Sequence, residues 1–352
     1  MRRHDIDWLR IIALGMLIIY HAAVAFQPWG HLISFIQNKE SSEILWLFMM
    51  IFNIWRIPIL FMISGMGAYF ALKNKNWKVF LKDRSARILL PYIFGFFFIC
   101  PITLFLFSKF YGKQIGYSPN PGHLWFLGNI YTYVLLLLPV MLFCIKNPDN
   151  FIFKIFRIIL KHRLGIFSLA LITGLEGVLF SPHDYINYAM SIHGFMLGLI
   201  CFFLGFILVS MKNDFWPIIK NTRSIALVLA SILCMIRFYF VFTTEDYDGP
   251  KFVIGFESMC WMLAVFGYGA LYLNHQSKAL TYLKDAVYPV YILHMPLQFL
   301  LSYLIMPTKL PLLLKLNFLV IGTLFCSIFL YEIIKRMNWI RPIFGLKKTI
   351  IN

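Results

Sequence analysis

The sequence predicts an all-α, polytopic integral membrane protein, and three observations carry that prediction. Sixty per cent of the 352 residues are hydrophobic and only 13% are charged, with a mean hydropathy of +0.76, values that an ordinary soluble domain does not combine. Apolar runs of about twenty residues, the length that crosses a hydrocarbon core, recur along the whole chain. Lys and Arg cluster in alternate segments between those runs, where they act as topology signals. The net charge of +17 is therefore spread over short loops, and nucleic acid is excluded as a partner. The six cysteines stand singly in apolar segments with no CxxC pair and no metal-ligand spacing, so they read as small core residues, and no metal site is expected.

The first span is expected over 8–27 and holds the marked run Asp7-Trp-Leu-Arg10 to Tyr20-His21. Eleven helical steps bring the chain back to within about 20° of its starting direction, so Arg10 and His21 share one face roughly 16 Å apart. A histidine inside a span is a functional candidate unless it merely packs against a neighbouring helix, and the segment alone leaves both readings open. The amino end imitates a secretory signal, with basic residues, an apolar run and Ala23-Val-Ala25. Asp5 and Asp7 do not suit such a signal, and many spans follow, so a retained signal anchor is expected.

Further spans are expected over 44–72, 88–108, 123–145, 164–181, 189–210, 223–243, 252–273, 286–305 and 311–334. The second is long enough to tilt or break at Pro58, and the fifth is the shortest. Between the fourth and fifth, Asn147–Arg163 mixes Phe and Ile with Lys154, Arg157 and Lys161, the pattern of an interfacial amphipathic helix on the inner leaflet. Of the 32 Lys and Arg residues, 24 fall in one alternating set of segments, five in the other and three within spans. That asymmetry orients ten helices with both termini cytoplasmic, and leaves the acidic loop Thr243–Pro250 outside. Residues 1–340 form a single transmembrane domain in this reading, and 341–352 a short basic cytoplasmic tail.

Besides His21, polar residues inside spans include Arg56, Glu176, His193, Arg237, Glu257, His294 and Lys315. Charges at similar depth on different helices imply a shared polar interior opening outward, in which Glu and Arg neutralise one another, or a set of buried ion pairs that lock packing. His193 and His294 read as structural, and Lys315 as a snorkelling side chain. At the inner side, Arg84 and Arg87 are three residues apart ahead of Pro91. Such neighbours repel unless an anion lies between them, and two guanidinium forks suit a phosphate, although membrane insertion also selects arginines there.

Several patterns in order resemble the membrane-bound acyltransferase 3 family: Arg10 and His21 separated by ten residues, Leu60-Phe-Met-Ile-Ser-Gly65, Arg84-x-x-Arg87 before Pro91, Gly122-His-Leu-Trp-Phe-Leu127, Phe203-Leu-Gly-Phe206 and Tyr288-Pro-Val-Tyr-Ile-Leu-His294. Arg56-Ile-Pro58, His123-Leu-Trp125 and Tyr272-Leu-Asn274 make it most similar to the glucan-biosynthesis protein C branch, associated with succinyl transfer to periplasmic glucans. No soluble SGNH-type domain, which some family members carry at the carboxyl end, is expected after the last span. The resemblance implies an integral-membrane O-acyltransferase of the bacterial cytoplasmic (inner) membrane. It would move acetyl or succinyl from a cytoplasmic acyl-CoA co-substrate, with no permanently bound cofactor, to a hydroxyl of an envelope glycan or similar acceptor outside. By that resemblance, Arg10, Arg84 and Arg87 bind the donor, and His21 is catalytic as general base or nucleophile. Glu176 or Glu257 orients its imidazole. Arg56 and Arg237 hold the carbonyl oxygen or a free acyl carboxylate, and His123 and Trp125 form an acceptor platform or an interfacial anchor. An ion-coupled secondary transporter is the alternative, since polar spans also describe carriers.

Overall fold

The computed structural model describes residues 3–114, 116–181, 185–244 and 249–348. Arg2, the acidic residues Glu245–Asp248 of the expected outer loop and the end of the basic tail lie outside the described residues. The described chain is all-α. Its helices are α1 (His4–Val24), α2 (Glu43–Leu72), α3 (Trp77–Phe110), α4 (Trp125–Lys146), α5 (Phe151–Lys161), α6 (Ser168–Phe180), α7 (Ile192–Ser210), α8 (Lys212–Thr243), α9 (Lys251–Tyr272), α10 (Lys278–Ile305) and α11 (Leu312–Ile334).

Nine of these, all but α5 and α6, are long and apolar enough to cross a membrane, so the protein is polytopic. The fifth expected span is the exception. Even with its leading turn from Gly165, α6 rises only about 24 Å, short of a hydrocarbon core of roughly 30 Å. It packs on α9 by close backbone approach. A Cβ on Gly255 would lie 2.2 Å from the Thr173 carbonyl oxygen, and one on Gly177 2.7 Å from that of Lys251. The Thr173 hydroxyl donates to the Gly255 carbonyl at 2.8 Å. The amphipathic stretch forms α5, capped by Asn150, whose side chain accepts from the Phe153 N–H.

The chain divides into two compact units. The first comprises Met1–Arg10, Ile51–Phe80 and Thr132–Gln276, and the second Ile11–Met50, Leu81–Tyr131 and Ser277–Asn352. Within the first, α2 and α7 touch through reciprocal glycines. A Cβ on Gly65 would fall 1.8 Å from the Phe202 carbonyl oxygen, and one on Gly205 2.0 Å from that of Met62. Two of the resembling motifs, Leu60–Gly65 and Phe203–Phe206, are therefore the two halves of one helix contact, in which small residues let backbones meet.

Prolines inside helices organise much of the polar contact. Proline brings no N–H to the carbonyl four residues earlier and crowds it, so each leaves an acceptor for another partner. In the first unit Pro58 releases the Ile54 carbonyl, which accepts from the Ser258 hydroxyl at 2.7 Å and the Tyr188 hydroxyl at 3.0 Å. In the second, Pro91 and Pro101 each follow a wide π turn, Ser85–Leu89 and Gly95–Ile99, in which the ladder shifts to i→i−5 bonds. The Phe97 carbonyl opposite Pro101 accepts from the Tyr117 hydroxyl at 2.6 Å.

The second unit also corrects the reading of Lys315. It does not snorkel. The side chain is buried, and its Nζ donates to Asn38 Oδ1 at 2.9 Å and to the Met306 carbonyl at 3.1 Å. Two fixed oxygens within reach hold the ammonium inside. They tie α11 to the segment after α1, where the Asn38 N–H in turn donates to the Ala25 carbonyl.

Candidate active site

Three histidines meet in the second unit, and the released-carbonyl rule explains how one of them, His123, is aimed. Pro296 cannot bond the Ile292 carbonyl, which His123 Nε2 meets at 3.1 Å. His294 Nδ1 lies 2.6 Å from the Tyr291 carbonyl oxygen, and the Tyr291 hydroxyl donates to the His123 carbonyl at 2.5 Å. His21 Nδ1 then lies 3.1 Å from His294 Nε2, the rings being 6° from parallel and 5.3 Å apart. Phe35 and Tyr20 also pack on the His21 ring.

These contacts assign the tautomers of neutral rings by elimination. A carbonyl oxygen only accepts, so His294 Nδ1 carries its proton and His294 Nε2 presents a lone pair. The proton between the two rings therefore belongs to His21 Nδ1, and His21 Nε2 is the unprotonated nitrogen. By the same logic His123 donates through Nε2, and its Nδ1 lone pair faces the buried Cys100 thiol at 4.0 Å. One turn beyond His294 on α10, buried Gln298 donates through Nε2 to the Ile18 carbonyl at 3.3 Å, while its Oε1 has no partner among the described residues.

Arg84 and Arg87 also fall in the second unit, but not as neighbours on a regular α-helix. The π turn Ser85–Leu89 begins just after Arg84 and contains Arg87, and its larger circumference changes their relative direction. Arg87 is exposed, and Arg84 is half-buried within electrostatic reach of Tyr288. Gly345, at φ +72°, lies against both features. A Cβ there would fall 2.4 Å from the Tyr288 ring and 3.3 Å from the Arg87 carbonyl oxygen. Trp125 opens α4, its ring perpendicular to that of Phe126.

The remaining predicted site residues belong to the first unit. Arg237 grips Glu257 with both arms, Nε to Oε2 at 2.7 Å and Nη2 to Oε1 at 3.1 Å, and the Trp261 indole donates to Oε1 at 3.1 Å. Glu176 Oε1 lies 2.9 Å from His193 Nδ1, while His193 Nε2 donates to the Tyr185 carbonyl. Beside them the buried Tyr185 phenol titrates well above its ordinary range, first through burial and then through the Glu176 carboxylate. Arg56 is buried and donates to Asn53 Oδ1 at 3.1 Å. Arg10, half-exposed, lies 3.7 Å from Asp7, on the same helix α1 as His21. Neither Glu is the neighbour that His21 Nδ1 meets. That neighbour is His294, 273 residues away, a residue whose place in the sequence suggests a structural role. The signal available was the Ile292/Pro296 spacing around it.

No curated protein and no solved structure matches the chain. A family model described as an acyltransferase domain, that of the acyltransferase 3 family, matches residues 3–332. The enzyme reading thus stands in place of the transporter alternative: the chain belongs to the membrane-bound acyltransferase 3 family and is a multi-pass acyltransferase for groups other than aminoacyl groups.

Proposed function

We propose that the protein transfers acetyl or succinyl from an acyl-CoA on the cytoplasmic side of a bacterial inner membrane to a hydroxyl of an envelope glycan outside, through His21, with both chain termini cytoplasmic, a topology in which the short α6 beside α9 makes the tenth crossing. The observation that carries this reading is the relay from the Tyr291 carbonyl through His294 to His21, because it leaves His21 Nε2 unprotonated and aimed by a buried neighbour.

As general base, Nε2 takes the acceptor hydroxyl proton while that oxygen attacks the thioester carbonyl. The C–S bond breaks, and the CoA thiolate takes the proton back. As nucleophile, Nε2 first displaces the thiolate to form an acyl-imidazolium; the acceptor hydroxyl then attacks its carbonyl, the C–N bond to Nε2 breaks, and the hydroxyl proton goes to the CoA thiolate. Both routes start from the same lone pair. In both, positive charge on His21 spreads to His294 through the shared Nδ1 proton. His294 is thus a positioning residue. Gln298 Oε1, a buried acceptor lacking a protein donor, suits the incoming hydroxyl.

Arg84 and Arg87 suit the donor phosphates, with Arg10 about three turns before His21 on the same helix. Glu257 and Glu176 neutralise Arg237 and engage His193 inside the first unit, so the acid–base chemistry in this reading rests on His21. Proteoliposomes given radiolabelled acetyl-CoA or succinyl-CoA outside and an envelope-glycan extract within test it. Label passes to glycan with the wild type and falls by about 10²–10⁴ with His21→Ala, whereas undiminished transfer by that variant removes the mechanism.

A further inference from the structure

A second polar feature lies in the first unit, built from residues other than those assigned to donor, acceptor and catalysis. A cleft of about 380 Å³ opens between the ends of α2, α4 and α7 and the starts of α5 and α8. Three cations line it, Lys73, Arg157 and Lys212, against one acid, Asp214, while Phe153 and Phe206 supply apolar wall. Arg157 also meets Asp149 at 2.8 Å, but both side chains are largely exposed, and such a pair contributes little and yields readily to a better anion.

Helix α5 says where that anion comes from. At about 100° per residue its side chains fall into three sectors. Phe153, Phe156 and Leu160 share the buried one. Phe151, Ile155 and Ile158, each more than half exposed, share a second. Lys154, Arg157 and Lys161 form a third between them. A helix that seats one face on protein, offers one to acyl chains and turns a basic face alongside lies in the plane of a membrane interface. Arg157 belongs both to that basic face and to the cleft, so the cleft opens at headgroup level. Its ends of chain are also those that the charge asymmetry assigns to the cytoplasmic leaflet.

We infer that this cleft binds the phosphodiester headgroup of an anionic phospholipid, held by Lys73, Arg157 and Lys212, with the acyl chains lying along Phe151, Ile155 and Ile158 of α5. A soluble phosphate would need the cations but not the exposed apolar sector beside them. The site is independent of the donor and acceptor chemistry proposed above.

The test is native mass spectrometry of the delipidated protein titrated with dioleoyl phosphatidylglycerol or dioleoyl phosphatidylcholine. Wild type should retain phosphatidylglycerol preferentially. Lys73→Gln/Arg157→Gln/Lys212→Gln should weaken that retention at least about tenfold without changing phosphatidylcholine. The charge-preserving Lys73→Arg/Arg157→Lys/Lys212→Arg variant should bind as wild type, which separates loss of charge from loss of fold. Equal phosphatidylglycerol binding by wild type and the glutamine variant overturns the site. Displacement of the lipid by millimolar inorganic phosphate also overturns it, in favour of a soluble ligand.

Discussion

His21 Nδ1 and His294 Nε2 lie 3.1 Å apart on rings 6° from parallel, and because His294 Nδ1 points at a carbonyl oxygen, the proton between the two rings belongs to His21. The contact joins residues 273 positions apart and fixes which nitrogen of His21 is unprotonated.

Replacing His294 tests positioning rather than chemistry. His294→Leu removes the acceptor for the Nδ1 proton and frees the ring, and should lower kcat about a hundredfold with little change in the KM for acyl-CoA. His294→Gln keeps an oxygen that can accept the same proton and should recover most of that loss. Equal damage from both substitutions would mean that His294 only fills space. Steady-state kinetics in proteoliposomes decides.

Gln298 should act on the acceptor side alone. Gln298→Leu removes the buried Oε1 that lacks a protein donor and should raise the apparent KM for the glycan extract while leaving acyl-CoA affinity unchanged. A shift in both constants together would make it a packing residue.

The Arg237–Glu257 pair predicts non-additive stability. Arg237→Met leaves a carboxylate buried without its cation and should cost about 3–5 kcal/mol. Arg237→Met together with Glu257→Leu removes both charges and should unfold close to wild type. Thermal unfolding in detergent measures this, and a double variant as unstable as the single one contradicts it.

Gly65→Ala and Gly205→Ala should each force α2 from α7, since either Cβ would sit within 2.0 Å of a carbonyl oxygen on the other helix. Both should lower the yield of monodisperse protein, with no particular effect on the remaining specific activity. A Gly65→Ala protein of wild-type stability would show that the helices part without cost.

What the sequence disclosed follows from which forces are local. The spans, the short sixth helix and the three-sided α5 are written in hydropathy and period, because a membrane sorts residues by transfer energy alone. Mutual neutralisation of Glu and Arg was legible as chemistry, and Arg237–Glu257 realises it. Which acid meets which base was not, since that depends on helix neighbours far apart in the chain. Lys315 defeats the snorkelling expectation for the same reason: Asn38, its partner, lies 277 residues away. The π turns around Arg87 were within reach, because Pro91 and Pro101 each forbid the α-helical bond that a regular helix would make there.

The claim on which the account rests is that His21 Nε2 is unprotonated, with the proton on Nδ1 facing His294. Nitrogen-15 NMR of the histidine-labelled protein in bilayers, with the His21 signals assigned by their loss in His21→Gln, reads this directly. The account predicts a protonated Nδ1 and an unprotonated Nε2 on His21, reversed or mixed in His294→Leu. An Nε2-protonated His21 in the wild type, unchanged by removing His294, would contradict it.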